Sequence, residues 1–145
     1  MEVKVKKLKE EAIIPTSGSE YAAGYDLYAC IDNEVTILPH ETKLIPTGLA
    51  MEIPIGYAGL IYARSGLATK RGLAPANKVG VVDSDYRGEV MVALHNHSNV
   101  EQKIDKQERI AQLVVTPFLK VEFKETASLE DTKRGIGGFG STGTK

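Results

Sequence analysis

Two aspartates stand where a carboxylate could do chemistry. Asp83 begins the polar, glycine-terminated segment Asp83–Gly88, which also contains an aromatic side chain, Tyr86. A carboxylate beside an aromatic ring can activate water next to a bound ligand, although a solvated turn has the same composition. Asp26 lies in an otherwise apolar strand pattern and therefore needs a partner, either a neighbouring arginine or a hydrated cation. The residues alone do not decide whether Asp83 activates water or lies in a solvated turn, or whether Asp26 pairs with an arginine or a cation.

A third segment carries groups that suit an anion. Arg64, Ser65 and Gly66 follow the apolar run Leu60–Ala63, so a guanidinium, a hydroxyl and free backbone N–H groups emerge together at a strand end. The alternative is a helix start with a surface salt bridge. In either case we expect Ser65 to cap a single helical turn that ends at Gly72.

The segment from about 130 to 145 is a glycine-rich arm. It matches the dinucleotide fingerprint G-x-G-x-x-G only formally, because no helix follows to hold a pyrophosphate. The Arg134 guanidinium and the hydroxyls of Ser141 and Thr142 could wrap phosphate oxygens, and Phe139 could stack on a flat ligand. We expect this arm to be mobile until a ligand orders it, and a disordered tail is the alternative.

The histidines and the cysteine predict no metal or nucleophilic site. His40, His95 and His97 lack the grouping of metal ligands, and Cys30 is expected to be a small buried hydrophobe. A single cysteine cannot form an internal disulfide. We therefore expect the cytoplasm or another reducing intracellular compartment.

Length and composition predict one globular domain over residues 1–145. The chain is 42% hydrophobic and 26% charged, with 18 Lys+Arg against 19 Asp+Glu. This balance is unlike that of a nonspecific nucleic-acid binder, so no nucleic-acid partner is expected. The chain has no secretory h-region or other targeting signal, and no apolar stretch approaches the roughly 18 residues of a membrane helix. We expect no membrane partner.

Apolar residues at a period of two predict an all-β sandwich or barrel of short antiparallel strands. The segment Asp83–Gly88 is predicted to be a β-hairpin tip. The expected strands are Val3–Leu8, Gly24–Ala29, Val35–Leu38, Glu41–Pro46, Leu49–Ile53, Tyr57–Ala63, Asn77–Val82, Glu89–His95, Arg109–Thr116 and Val121–Glu125.

Taken together and in order, five segments resemble the motifs of the trimeric dUTP pyrophosphatases, or dUTPases. They are Ala23–Leu27, Arg64–Ala68, Gly80–Gly88, Arg109–Leu113 and Arg134–Gly143. The resemblance implies a jelly-roll-like β fold with a flexible C-terminal arm, and a homotrimer with active sites shared between subunits. It also implies Mg²⁺-assisted hydrolysis of dUTP to dUMP and pyrophosphate, which keeps uracil out of DNA and supplies dUMP for thymidylate synthesis.

The resemblance also implies residue roles. Asp83 would be the general base for water that attacks the α-phosphorus, Tyr86 would lie against the deoxyribose, and Asp26 would hold magnesium through a coordinated water. Asn77, with the backbone of Val81 and Met91, would contact the uracil. The expected substrate-binding residues are Arg64, Ser65, Gly66, Asn77, Val81, Val82, Asp83, Tyr86, Met91, Gln112, Arg134, Phe139, Gly140, Ser141 and Thr142.

Departures from the family pattern are few. Gln107 replaces a usual glycine and affects the expectation for the local turn, and Ile136 occupies a position where small or polar residues are frequent. A dCTP deaminase of the same fold would need a glutamate where this chain has Ala93. A noncatalytic nucleotide sensor would be expected to have lost Asp83 or the arm, and both are present.

Overall fold

The computed structural model describes residues 1–138, and in this range the chain is mostly β, as expected. The alternation of apolar and polar residues produces strands that bury one face. The strands are β1 (Lys4–Lys7), β2 (Thr16–Ser17), β3 (Tyr25–Tyr28), β4 (Val35–Ile37), β5 (Thr42–Glu52), β6 (Tyr57–Tyr62), β7 (Leu73–Pro75), β8 (Gly80–Val82), β9 (Glu89–Asn96), β10 (Gln102–Ile104) and β11 (Arg109–Pro117). One helix, α1 (Ser65–Arg71), interrupts this described part.

The strands form two main antiparallel sheets. One has the order β1-β5-β9-β7, and the other has the order β2-β3-β11-β6-β8. Strands β4 and β10 form a separate pair. Neighbours in each sheet are mostly distant in sequence, which is typical of sandwiches with crossing connections. The expected jelly-roll-like class is confirmed.

One buried cluster draws on both sheets. Leu27 and Leu113 come from the second sheet, and Ile45 and Leu94 come from the first. All four are at most 3% exposed. Burial of such side chains stabilises the fold by about 1.5–3 kcal/mol each. The functional side chains described below therefore project from a closely packed scaffold.

Several predicted strand boundaries were wrong. The two strands expected at Glu41–Pro46 and Leu49–Ile53 are one strand, β5, with a register shift after Pro46. The expected strand Asn77–Val82 is shorter, since Asn77–Val79 forms a turn. Strands β2, β7 and β10, of two or three residues each, were not predicted.

The strand predicted at Val121–Glu125 is not formed. Leu119, Val121 and Phe123 are all exposed, at 86%, 61% and 94%. Their alternation is that of a strand, but no described strand pairs with this segment. The apolar residues have the spacing of a strand, but no surface of the described chain covers their side chains.

The prediction of a β-hairpin at Asp83–Gly88 was also wrong. Strand β8 pairs with β6, whereas β9 pairs with β5 and β7. The turn therefore connects the two sheets. A hairpin tip and an inter-sheet connection have the same local composition, and only the pairing partners distinguish them.

Helix α1 begins one residue earlier than a Ser65 cap requires. The N-cap is Arg64, which makes no side-chain capping hydrogen bond, and Ser65 is the first helical residue. The helix ends as predicted at Gly72, whose φ of 65° is the left-handed conformation that favours glycine. It spans seven residues rather than a single turn.

Two further expectations concern the cysteine and a membrane-spanning helix. Cys30 is 4% exposed, and burial raises the pKa of its thiol, so the prediction of an inert buried cysteine is confirmed. Among residues 1–138, no helix has both the length and the apolar character needed to cross a membrane.

Candidate active site

A cationic cavity of about 660 Å³ opens where strands β3, β6 and β11 end beside α1. Its centre is the carboxylate of Asp26. Arg64 Nε lies 2.7 Å from Asp26 Oδ1, and an Arg109 amino nitrogen lies 3.3 Å from Asp26 Oδ2. The neighbouring arginine expected as one possible partner of Asp26 is found, and there are two of them. Two guanidinium groups on one carboxylate leave the cavity with surplus positive charge, which suits an anion.

Gln112 forms the floor of this cationic cavity. Its Nε2 donates a hydrogen bond to the carbonyl oxygen of Ala63, at 2.9 Å, and so joins β11 to the end of β6. A Cβ on Gly24 would lie 2.2 Å from Gln112 Oε1. Gly24 is therefore needed for this close approach, which explains its place directly before β3.

The start of α1 forms one wall of the cationic cavity. Ser65 and Gly66 are exposed there, and no atom lies within 4 Å of a Cβ built on Gly66. The other end of the helix is fixed, because Arg71 Nε donates to Gln102 Oε1 at 3.0 Å and its NH1 group binds Glu108. The first residues of the helix are thus open to a ligand while its last residue is held.

A second cavity, of about 310 Å³, lies between the turn after β7 and the start of β9. Its lining combines the apolar side chains of Val81, Val82 and Met91 with the polar groups of Asn77, Asp83, Tyr86 and Glu89, and among residues 1–138 it includes no lysine or arginine. Val81 and Met91 are 64% and 39% exposed, so the apolar surface is accessible. A small pocket with apolar side chains, a few polar groups and no cation suits a flat heterocycle better than a phosphate chain. We call it the apolar cavity.

Tyr86 is held in a fixed orientation in this second cavity. Its hydroxyl donates to the carbonyl oxygen of Glu89, at 3.0 Å. A Cβ on Gly88 would lie 2.4 Å from that hydroxyl, so the ring lies directly over the glycine. The ring remains 45% exposed and presents a rigid surface to the cavity.

Asp83 lies at the rim of the second cavity. Its carbonyl oxygen accepts a hydrogen bond from the Tyr86 N–H, at 3.2 Å, which closes the turn. Within the described chain its carboxylate has neither an ion pair nor a hydrogen bond. An exposed carboxylate without a cationic partner is available to accept a proton.

The predicted site residues thus divide into two groups. Asp26, Arg64, Ser65, Gly66 and Gln112 line the cationic cavity. Asn77, Val81, Val82, Asp83, Tyr86 and Met91 line the apolar one, and the two cavities have no lining residue in common. Within one chain, the structure does not bring the groups together.

The glycine-rich arm belongs to neither cavity over its described part. Arg134 Nε donates to the carbonyl oxygen of Gly137, at 2.8 Å, within a local turn. Phe139, Gly140, Ser141 and Thr142 lie outside the described residues, so their predicted contacts stay predictions.

Sequence reasoning missed two residues at these cavities. Arg109 contacts Asp26 and lines the cationic cavity, although it was noted only as part of a motif. Glu89 lines the apolar cavity. A signal for Arg109 was present, since a second cation at the edge of an apolar strand pattern is an expected partner for a lone carboxylate.

The histidines remain without a metal-binding arrangement in residues 1–138, where no group of three or more His, Cys, Asp or Glu side chains could hold an ion. The rings of His95 and His97 are in edge contact, with centroids 4.4 Å apart. His95 Nδ1 and Thr42 Oγ1 lie 2.8 Å apart, and His40 Nε2 lies 3.2 Å from Asn99 Oδ1.

Comparison with known proteins decides the family. The model of the dUTPase family matches residues 10–143 of this chain. This chain belongs to the dUTPase family. The expected family and enzyme class are therefore confirmed.

Individual relatives agree with this assignment over nearly the whole chain. A deoxyuridine 5'-triphosphate nucleotidohydrolase of Nautilia profundicola is 53% identical and covers 99% of both chains, and one from Hydrogenobaculum sp. is 50% identical and covers 100% of both. Among solved structures, the dUTPase of Staphylococcus bacteriophage 80alpha with dUPNHPP has a TM-score of 0.88 at 30% identity and covers 98% of each chain.

The cationic cavity of this dUTPase-family chain also suits a hydrated magnesium ion. Both Asp26 oxygens already accept from an arginine, but each carboxylate oxygen can accept a second hydrogen bond. Magnesium keeps several of its waters and needs few protein ligands when a substrate supplies phosphate oxygens. A single carboxylate in a cationic cavity therefore fits an ion held through water.

Proposed function

We propose that this protein hydrolyses dUTP to dUMP and pyrophosphate, and so removes a precursor of uracil in DNA while supplying dUMP for thymidylate synthesis. The observation that carries the proposal is the division of the predicted residues into a cationic and an apolar cavity. These are the two environments that a nucleoside triphosphate requires. A heterocycle and its sugar suit the apolar cavity, and a phosphate chain suits the cationic one.

The apolar cavity would select the nucleoside. Asn77 and the backbone of Val81 and Met91 would hydrogen-bond the uracil edge, since an amide presents both a donor and an acceptor. The Tyr86 ring, held by the hydrogen bond of its hydroxyl, would lie against the sugar and would leave no space for a ribose hydroxyl, so UTP would be excluded sterically. Clashes and unpaired polar groups discriminate strongly between closely related substrates.

Asp83 would act as the general base. Its carboxylate would accept a proton from a water molecule as that oxygen forms a bond to the α-phosphorus. The bond from the α-phosphorus to the oxygen that bridges to the β-phosphorus would break, and pyrophosphate would leave with the bonding electrons. The exposed Asp83 carboxylate, with no cationic partner among residues 1–138, supports this role.

The cationic cavity would hold the phosphate chain. Arg64, Ser65, Gly66 and Gln112 would bind its oxygens, and Asp26 would hold magnesium through a coordinated water. Magnesium supplies charge neutralisation on the triphosphate oxygens when it is bound. The two arginines keep the Asp26 carboxylate oriented toward this chain of charges.

A homotrimer would bring the two cavities together across subunits. Because the cavities share no lining residue in one chain, a neighbouring copy is needed to place both groups around one nucleotide. The outward face of β5 and β9 supports contact with another copy, since exposed Leu44 pairs with Ala93 and lies close to exposed Met91.

The glycine-rich arm would close over the bound nucleotide. Arg134, Gly140, Ser141 and Thr142 would contact phosphates and Phe139 would stack on uracil, which would exclude bulk water from the reaction. Truncation before Arg134 should greatly reduce turnover while the oligomer persists. An unchanged rate in that truncated chain would contradict the closing role.

The test of the proposed activity is pyrophosphate release from dUTP, UTP, dTTP and dCTP in parallel, with magnesium and after chelation. We expect rapid release from dUTP alone and a large decrease on chelation. Ammonia release from dCTP would indicate deamination instead. Binding without turnover by a folded oligomer would indicate a nucleotide sensor.

The base is tested separately by Asp83→Asn, with Asp85→Asn as the matched control in the same exposed turn. We expect Asp83→Asn to retain dUTP binding and to lose at least 100-fold in kcat, in the range that general-base catalysis contributes (about 10²–10⁴-fold). Asp85→Asn should stay near wild type. Substantial activity in the first variant would reassign the base.

A further inference from the structure

Strand β5 carries a bulge where it faces the start of β9. The register between these strands shifts between Pro46 and Ala50, and Gly48 in this bulge has a φ of 68°. A Cβ on Gly48 would lie 2.7 Å from Cys30 Sγ, so a larger residue would not fit. The bulge is therefore fixed by packing beneath it as well as by its backbone conformation.

Glu89 satisfies the amide that this bulge exposes. The Gly48 N–H donates to Glu89 Oε1, at 2.8 Å, and the neighbouring Thr47 hydroxyl donates to the carbonyl oxygen of Val90, at 2.6 Å. No lysine or arginine forms an ion pair with Glu89 among the residues described. A hydrogen bond from an amide to a partly buried carboxylate is stronger than one between neutral groups.

The main chain of the same residue holds the Tyr86 ring. The Tyr86 hydroxyl donates to the carbonyl oxygen of Glu89, and the ring lies over Gly88 without space for a side chain there. The side chain of Glu89 thus fixes the first residue of β9 to the bulge, and its carbonyl fixes the aromatic ring. These two contacts connect the bulge in β5 to the apolar cavity through one residue.

We propose that Glu89 is a positioning residue for sugar discrimination. Its carboxylate fixes the start of β9 to the bulge at Gly48, and this holds the carbonyl that sets the angle of the Tyr86 ring. The inference rests on the proposed role of Tyr86 against the deoxyribose. If the start of β9 is released, the ring gains freedom to tilt, and the clash that rejects a ribose is relieved.

The test compares kcat/KM for dUTP with kcat/KM for UTP in the wild type, Glu89→Ala and Glu89→Gln. Glutamine keeps an oxygen that can accept from the Gly48 amide, whereas alanine has none. We expect Glu89→Ala to lower the dUTP:UTP ratio about tenfold, which corresponds to about 1.4 kcal/mol. Glu89→Gln should keep the ratio within about threefold of wild type, a change of less than 1 kcal/mol.

Ile45→Val is the matched control for a purely structural effect. Ile45 lies on β5 and is 1% exposed, so its truncation destabilises the same strand without touching Glu89 or Tyr86. It should lower the melting temperature and leave the substrate ratio unchanged. Tyr86→Phe removes the hydroxyl that binds the Glu89 carbonyl oxygen. Adding Glu89→Ala to this variant should therefore change the dUTP:UTP ratio little further.

The outcomes separate this inference from the proposed function. A wild-type protein that does not prefer dUTP over UTP would refute the role of Tyr86 and with it the basis of the inference. A selective wild type whose Glu89→Ala variant keeps the full ratio would refute only the positioning role. An equal decrease of the dUTP:UTP ratio in Glu89→Gln would also refute the positioning role, because the variant keeps the oxygen that accepts from the Gly48 amide.

Discussion

The turn between β10 and β11 contains backbone strain that a single substitution can remove. Gln107 adopts a φ of 58°, in the left-handed region that favours glycine. Its backbone N–H is well placed, since it donates to the carbonyl oxygen of Ala29 at 2.9 Å. The exposed side chain makes one weak contact, from Nε2 to the carbonyl oxygen of Glu11 at 3.5 Å. We predict that Gln107→Gly stabilises the protein.

The magnitude follows from two opposing terms. A residue other than glycine costs about 1–2 kcal/mol in the left-handed region. Glycine in turn loses more conformational entropy on folding, which costs about 0.5–1 kcal/mol. Because the side-chain contact of Gln107 is weak, the net gain in the free energy of unfolding should be about 0.5–1 kcal/mol. For a domain of this length, that gain corresponds to a rise of a few °C in Tm.

The assay is thermal and denaturant unfolding at a fixed protein concentration, since oligomerisation makes Tm depend on concentration. Lys106→Gly is the matched control, because Lys106 is exposed in the same turn and does not have a positive φ. Lys106→Gly should lower the free energy of unfolding only by the extra conformational entropy that glycine loses on folding. Gln107→Ala keeps the strain and should not raise Tm. If Gln107→Gly lowers Tm as Lys106→Gly does, the assignment of strain to this turn is wrong.

Three further predictions concern stability. Asn96→Ala should lower the free energy of unfolding by about 2–4 kcal/mol in denaturant titrations, because the buried amide donates to the carbonyl oxygens of Ile37 and Val100 and accepts from Ser98, and all of these bonds are lost. Gly48→Ala should cost at least about 2 kcal/mol by the same assay, since the added Cβ meets Cys30 Sγ and the φ is positive. Burial, and then the neighbouring His95, lowers the pKa of His97 from its ordinary value of 6.5. The unfolded chain therefore binds more protons than the folded one near pH 6.5, so the free energy of unfolding should fall as the pH drops through that value. In His97→Gln, the unfolding midpoint should fall less steeply as the pH is lowered.

Much of this protein follows from local sequence. The period-two patterns predicted the positions of β1, β3, β6, β9 and β11, because one buried face imposes that period on any strand. The left-handed Gly72 at the end of α1 followed from glycine's conformational freedom. The buried state of Cys30 followed from its apolar character. These are properties that a few neighbouring residues determine.

The resemblance to dUTPases added predicted roles for individual residues but not their contacts. Asp26 was left between an arginine and a cation, and the structure supplies Arg64 and Arg109 as its partners. They are 38 and 83 positions away in the chain. A partner at such a distance has no signature in the residues around Asp26, because it depends on which strands become neighbours.

Strand pairing likewise decided what the turn at Asp83–Gly88 is. Its composition predicts a turn, but whether its flanking strands pair with each other or with β6 and β5 depends on burial of apolar faces across the whole sandwich. The same holds for Val121–Glu125, where the alternation is present and the strand is not formed within the chain. The sequence by itself determined which residues are candidates for the chemistry and where most of the longer strands lie. Only the tertiary structure decided which of them meet, because contacts between strands remote in sequence are chosen by the packing of the entire core.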